Sequence, residues 1–169
     1  MDTGRNVEEL FGRYSDMVYR IAISYGNNVQ MAEDVVQEVF LRFLKKRPDF
    51  KSSEHEKAWF IRVTVNCCKS LLSSAWIKRV QPLEDTMQAE ILFKDSGSSS
   101  LYELVSGLPA KYSTVLYLRY YEEYKVKEIA KILHITPNLV SARIARAKKM
   151  IKQELLKERK CFKDETGII

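Results

Sequence analysis

The residues with the clearest chemical potential lie between Thr136 and Gln153. This stretch carries Arg143, Arg146, Lys148, Lys149 and Lys152 and no acid. Thr136 is a good helix N-cap, and Pro137 suits the first helical position, where its missing N–H costs nothing. Apolar Val140, Ile144, Ala147 and Ile151 recur at helical spacing, so one face of this helix is buried and the cations fall outside it. A helix of that kind can place short side chains in a major groove and cations on the flanking phosphates. Thr136, Asn138, Leu139, Ser141 and Ala142 supply the short side chains. Arg146 and Lys149 fall where phosphates would lie, and Arg143 suits either a base or a phosphate.

The helix needs a partner to hold it. Val126, Ile129, Ala130 and Leu133 give the i, i+3, i+4, i+7 pattern of a short preceding helix, and His134-Ile135 makes the turn. Small Ala130 permits close helix approach, and Val140 wedges between the two helices. The turn position needs positive φ; Gly is usual there, and His is among the few other residues that tolerate it. The pattern predicts a helix-turn-helix that binds duplex DNA. An ordinary helical hairpin with a solvated basic face is the simpler alternative. Charge placement favours DNA: residues 111–160 carry thirteen Lys+Arg against five Asp+Glu, a net +8, in a chain of net +6.

Upstream, three amphipathic helices are expected to share a core. The first carries Val7, Leu10, Phe11, Tyr14, Met17, Val18, Ile21 and Tyr25, and Gly26-Asn27-Asn28 stops it. The second points Ala32, Val35, Val36, Val39, Phe40, Phe43 and Leu44 inward and ends at Pro48. Its other face presents Asp34, Gln37, Glu38, Leu41 and Lys45, an acidic-polar surface suited to a basic partner. The third runs from about Glu56 to Ser74 on Ala58, Ile61, Val65, Cys68 and Leu72. Beside that stripe stand Trp59, Arg62, Asn66 and Lys69, an aromatic with amide and cationic neighbours. The set suits stacking on unpaired bases and holding phosphates; a place for Trp59 in the core is the lesser alternative.

The periodicity fades between Ile77 and Ser100, where Pro82, scattered acids and Ser96-Gly97-Ser98-Ser99-Ser100 read as linker. Helical pattern resumes at Leu101. Pro109 then opens a helix with Tyr112, Val115, Leu116 and Tyr120 that ends near Glu122 or Glu123. A frayed tail is expected from Cys161. The predicted class is all-α: a module over 1–76, a flexible linker over 77–100, a helix-turn-helix module over 101–160 and a tail over 161–169.

Composition narrows the rest. Six Gly and four Pro disfavour a turn-rich β-fold, and no run approaches the ~20 apolar residues of a membrane span. The first residues show no basic segment followed by an apolar run, so no secretory signal is expected. Cys67, Cys68 and Cys161 form no disulfide framework and fit a reducing cytoplasm. With His55 and His134 they show no metal-ligand spacing, so neither metal nor cofactor is expected. An enzyme using Cys67 or Cys68 as nucleophile is a rival reading, but no Cys–His arrangement supports it, and no catalytic residue is assigned.

A resemblance supplies what the residues leave open. Ala32-Glu33-Asp34-Val35-Val36-Gln37-Glu38-Val39-Phe40-Leu41-Arg42-Phe43 resembles the core-polymerase-binding helix of bacterial sigma factors. Ala58-Trp59-Phe60-Ile61-Arg62-Val63-Thr64-Val65-Asn66 is similar to their promoter-melting helix. Leu108-Pro109, a tyrosine-rich helix and the helix-turn-helix resemble their C-terminal module. Length and layout match the small extracytoplasmic-function group. The resemblance implies a transcription initiation factor that binds RNA polymerase core and promoter DNA, and members of the family are often held inactive by an anti-sigma partner. The alternative is a helix-turn-helix regulator whose first module dimerises or senses a ligand. Members often carry Gly-Thr where Asn138-Leu139 stand and Lys-Ser where Ser141-Ala142 stand, so the promoter sequence does not carry across.

Overall fold

The computed structural model describes residues 3–26, 28–73, 104–105 and 107–166. All regular structure among them is helical. In chain order the elements are α1 (Thr3–Gly26), α2 (Val29–Lys46), α3 (Ser53–Ser73), α4 (Ala110–Leu116) continuing into a π-helical turn (Tyr117–Tyr121), α5 (Val126–Leu133) and α6 (Pro137–Thr166). No described helix is long and apolar enough to cross a membrane. The linker expected over 77–100 lies outside the described residues.

Helices α1–α3 bury one another's apolar stripes. Leu10, Tyr14, Met17, Val18 and Ile21 of α1 meet Ala32, Val35, Val39, Phe40 and Phe43 of α2 and Phe60, Ile61, Val65 and Cys68 of α3. Phe60 is the centre. It is fully buried, with its ring 4.6 Å from Tyr14, 5.3 Å from Phe40, 5.7 Å from Phe43 and 5.1 Å from Trp59. Such aromatic contacts add to the area term and fix helix register. The periodicity overreached at two positions: Phe11 is 50% exposed and Leu44 is 40% exposed. Both sit at the edge of a three-helix stack, where no further helix among the described residues covers them.

The caps explain where these helices begin and end. Asn28 accepts the Met31 N–H through its side chain at 3.0 Å, opening α2. A Cβ at Gly26 would lie 2.6 Å from Met31 Sδ, so any larger residue at the α1–α2 corner would have to push the flexible end of Met31 aside. At its other end α2 stops at Lys46, because Arg47 turns into the left-handed region (φ 41) and returns its N–H to the Phe43 carbonyl. The stop is made one residue ahead of the Pro48 that was expected to impose it. Ser52 accepts the His55 N–H at 3.1 Å and starts α3 at Ser53, a turn earlier than its apolar stripe predicts.

In the second module Pro109 precedes the first helical residue, Ala110, instead of occupying it. The π-helical turn was not foreseen. Its wider loop, closed by Glu122 N–H to Tyr117 O at 3.1 Å, leaves Tyr120 and Tyr121 exposed while Tyr117 and Leu118 stay buried. Helix α6 continues through Thr166, past Cys161 where fraying was expected. Leu108, Val115, Leu118, Ile129, Val140, Ile144 and Ala147 form the core here, and Ser113 Oγ–H donates to the Ser24 carbonyl at 3.2 Å, joining the two modules.

Candidate nucleic-acid interface

The helix-turn-helix is built as the spacing requires. His134 sits in the left-handed region (φ 53, ψ 44), and the Ile135 N–H closes on the Ala130 carbonyl at 3.0 Å. At the start of α5 the Glu128 carboxylate accepts the Lys125 N–H at 2.7 Å, satisfying a donor that a helix start leaves unpaired. Thr136 Oγ1 accepts the Leu139 N–H at 3.2 Å and caps α6. Ala130 and Val140 are both buried at the crossing. Replacing Thr136 by Ala should therefore cost about 1 kcal/mol of module stability. Urea denaturation measures it, and an unchanged midpoint would show that the cap carries no weight.

The first half of α6 presents Asn138, Leu139, Ser141, Ala142, Arg146 and Lys149 to solvent while Val140, Ile144 and Ala147 face inward. Arg143 departs from this face. It is half-buried and lies near Tyr25: burial raises that phenol's pKa, and the guanidinium offsets part of the rise. Beside the helix, Lys148 Nζ stands 5.1 Å from the centre of the exposed Tyr120 ring. This flanking position was not read from the sequence, because it depends on the π-helical turn.

On α3, Asn66 and Lys69 are exposed, but Arg62 and Trp59 are only half-exposed. Trp59 meets Phe43 at 6.0 Å, Phe50 at 5.9 Å and Phe60 at 5.1 Å, each edge to face. It forms the rim of the aromatic core, with part of its ring open. Arg62 is engaged by the other module. Its Nε–H donates to the Ile132 carbonyl at 3.3 Å, in the last turn of α5. That carbonyl belongs to the four that a helix end leaves without intrahelical partners, and a cation there also suits the helix dipole.

The α2 face holds together as predicted. Gln37, Leu41 and Lys45 are exposed, and Asp34 and Glu38 are partly so. Gln30 Nε2 donates to Asp34 at 3.2 Å and Arg42 Nε to Glu38 at 2.7 Å, one helical turn apart in each case. These are surface contacts and add little stability. Two carboxylates and a 50% exposed leucine therefore share this open face.

Sequence reasoning missed the contacts between modules. Lys57 Nζ lies 2.5 Å from Glu122 Oε2, and the Tyr117 hydroxyl donates to Glu122 Oε1 at 2.9 Å. Burial first, and then Glu122, push the Tyr117 phenol far above its ordinary pKa. Arg20 donates to the Tyr121 hydroxyl. A cleft of about 1090 Å³ runs along this seam, bordered by Tyr14, Lys57, Glu122 and Tyr124. Burial pushes the Cys68 thiol up to about 12 and raises Cys67 as well, so neither is a thiolate at neutral pH. Among the described residues no group of three or more His, Cys, Asp or Glu is placed to hold a metal.

Comparison with known proteins agrees with both halves of this geometry. Residues 10–77 match the model for sigma-70 region 2, and residues 98–151 match that for sigma-70 region 4. The chain is 32% identical over 146 residues to the RNA polymerase sigma factor SigV of Bacillus subtilis, covering 83% of this chain and 85% of that one. It is 24% identical over 164 residues to the ECF RNA polymerase sigma factor SigW of the same organism, with 84% of each chain covered. The fold matches the sigma factor RpoE of Bartonella quintana, solved in complex with the anti-sigma factor NepR. The TM-score is 0.66 at 19% identity, over 90% of this chain and 98% of that one. Region 2 gives the first module a role that the regulator reading could not. The chain belongs to the extracytoplasmic-function group of the sigma-70 family: it is a transcription initiation factor, not an enzyme, that binds RNA polymerase core and directs it to promoters.

Proposed function

We propose that three faces divide this work. Asp34, Gln37, Glu38, Leu41 and Lys45 dock on the polymerase core. Arg62, Asn66 and Lys69, with the open part of the Trp59 ring, hold the separated promoter strand. Asn138, Leu139, Ser141 and Ala142, capped by Thr136, read the upstream element while Arg146 and Lys149 grip its phosphates. Arg143, turned towards Tyr25, serves the flanking phosphate better than a base. Residues 1–76 and 101–160 act as separate modules on one promoter, tethered by residues 77–100, with 161–169 as a tail. The protein works in the cytoplasm, where polymerase and promoters are, and an anti-sigma protein is its natural restraint, as in the complex of the Bartonella relative.

The observation that carries this reading is the exposed basic face of α6 up to Gln153, a stretch without acids, locked in place by the His134 turn and the Val140 wedge. The direct experiment mixes the protein with bacterial core polymerase and a library of promoter fragments. Specific initiation that appears only with both components supports the reading. Binding of DNA as a dimer, with no initiation, overturns it.

A further inference from the structure

One cation of the reading helix stands outside the row assigned to phosphates. Lys148 is exposed, and its Nζ lies 5.1 Å from the centre of the Tyr120 ring. Tyr120 sits on the π-helical turn and is 56% exposed, so the contact is open to solvent. The Arg119 guanidinium approaches the same ring at 5.8 Å, but its Nη1 already donates to the Tyr124 carbonyl at 3.4 Å. Among the described residues no carboxylate pairs with Lys148. An ammonium resting on a ring keeps its N–H donors for another acceptor. Lys148 is thus a positioned cation without a counter-ion.

Helical geometry decides where it points. At 3.6 residues per turn, Arg146 and Lys148 stand about 160° apart around the α6 axis. Asn138, Ser141, Ala142 and Lys149 lie within the arc between them, while Val140, Ile144 and Ala147 lie on the buried side. A helix about 10–12 Å across fills a major groove about 12 Å wide, with a sugar-phosphate strand along each wall. We propose that Lys148, positioned by the Tyr120 ring, grips a backbone phosphate on the groove wall opposite the one that Arg146 meets. This deepens the assignment of α6 as the reader and rests on it. Tyr120 acts through Lys148: without the ring the long stem is free, and the ammonium spends less time at one phosphate. A grip on each wall stops the helix rolling in the groove and holds Asn138 and Ser141 to their base edges.

The test uses core polymerase bound to the full chain, with upstream-element fragments in which single phosphates are replaced by neutral methylphosphonates. The wild-type complex should lose affinity several-fold at individual positions on both strands. Lys148→Ala should lower the salt slope by about one unit and lose its sensitivity at one position. Arg146→Ala should lose sensitivity at a position on the other strand. Tyr120→Leu should weaken the sensitivity at the Lys148 position, Tyr120→Phe should restore it, and Tyr120→Leu should add nothing to Lys148→Ala. Both side chains are exposed, so circular dichroism should match wild type throughout. Should Tyr120→Leu lose helicity, Lys148→Ala decides alone. A Lys148→Ala complex with unchanged salt slope and phosphate profile overturns the proposal, as does loss at the same phosphate that Arg146→Ala reports. A folded Tyr120→Leu variant with the wild-type profile overturns the positioning by the ring. Asn138→Ala separates this proposal from the reading beneath it. If sequence preference survives that substitution, the assignment of α6 fails; if preference relaxes while Lys148→Ala is silent, only the second grip fails.

Discussion

The triple substitution Asp34→Ala, Gln37→Ala, Glu38→Ala should abolish co-purification with core polymerase and leave the protein folded. The three side chains share one face of α2, and their visible partners are Gln30 and Arg42, one helical turn away. Losing such exposed contacts costs a few tenths of a kcal/mol each, and Ala favours the helix. The polymerase side is different. If two of the three act as anchors worth about 2 kcal/mol apiece, affinity falls by roughly three orders of magnitude. Circular dichroism should show unchanged helicity and a melting temperature close to wild type. A triple variant that still co-purifies would remove this face from the mechanism.

Phe60→Ala should produce the largest loss of stability of any single change in the first module. The ring is fully buried and touches Tyr14, Phe40, Phe43 and Trp59. Truncation removes those contacts and leaves a cavity that three packed helices cannot close, at a cost of about 3–5 kcal/mol. Against a total stability of about 5–15 kcal/mol, that moves the urea midpoint far down. A drop below about 1 kcal/mol would mean that the aromatic cluster is not the keystone of the packing. Polymerase binding should fade with folding, in contrast to the triple variant, where it is lost from a folded protein.

The helix-turn-helix was legible because everything it needs is local. Ala130, His134, Thr136 and Val140 fall within eleven residues, and each has one structural duty that its side chain advertises. The α1–α3 stripes were legible for the same reason, since helical period reports which face is buried. It does not report how far the burial extends, and so Phe11 and Leu44 were placed inward although they are half-exposed at the edge. The π-helical turn escaped because Tyr117-Leu118-Arg119-Tyr120-Tyr121 has no breaker residue to mark it. The seam was the largest omission. Arg62 and Ile132 are seventy residues apart, and nothing in either neighbourhood names the other. Reading Arg62 as a free cation on a surface stripe was sound chemistry applied to one module, and the structure adds the second module that engages it.

Promoter recognition by this chain requires that α6 read sequence. Asn138 and Ser141 lie in the exposed first half of the helix, where base edges are reached, whereas Lys149 lies farther along, at the reach of phosphates. The decisive measurement is binding of the polymerase complex to a library of upstream elements at several salt concentrations. Asn138→Ala should relax discrimination at one or two positions by about 1–3 kcal/mol, with little change in salt dependence. Lys149→Ala should weaken all sequences alike and lower the salt slope by about one unit. If both substitutions leave the sequence preference equally intact, this helix is not the reader, and the assignment of promoter recognition to it is wrong.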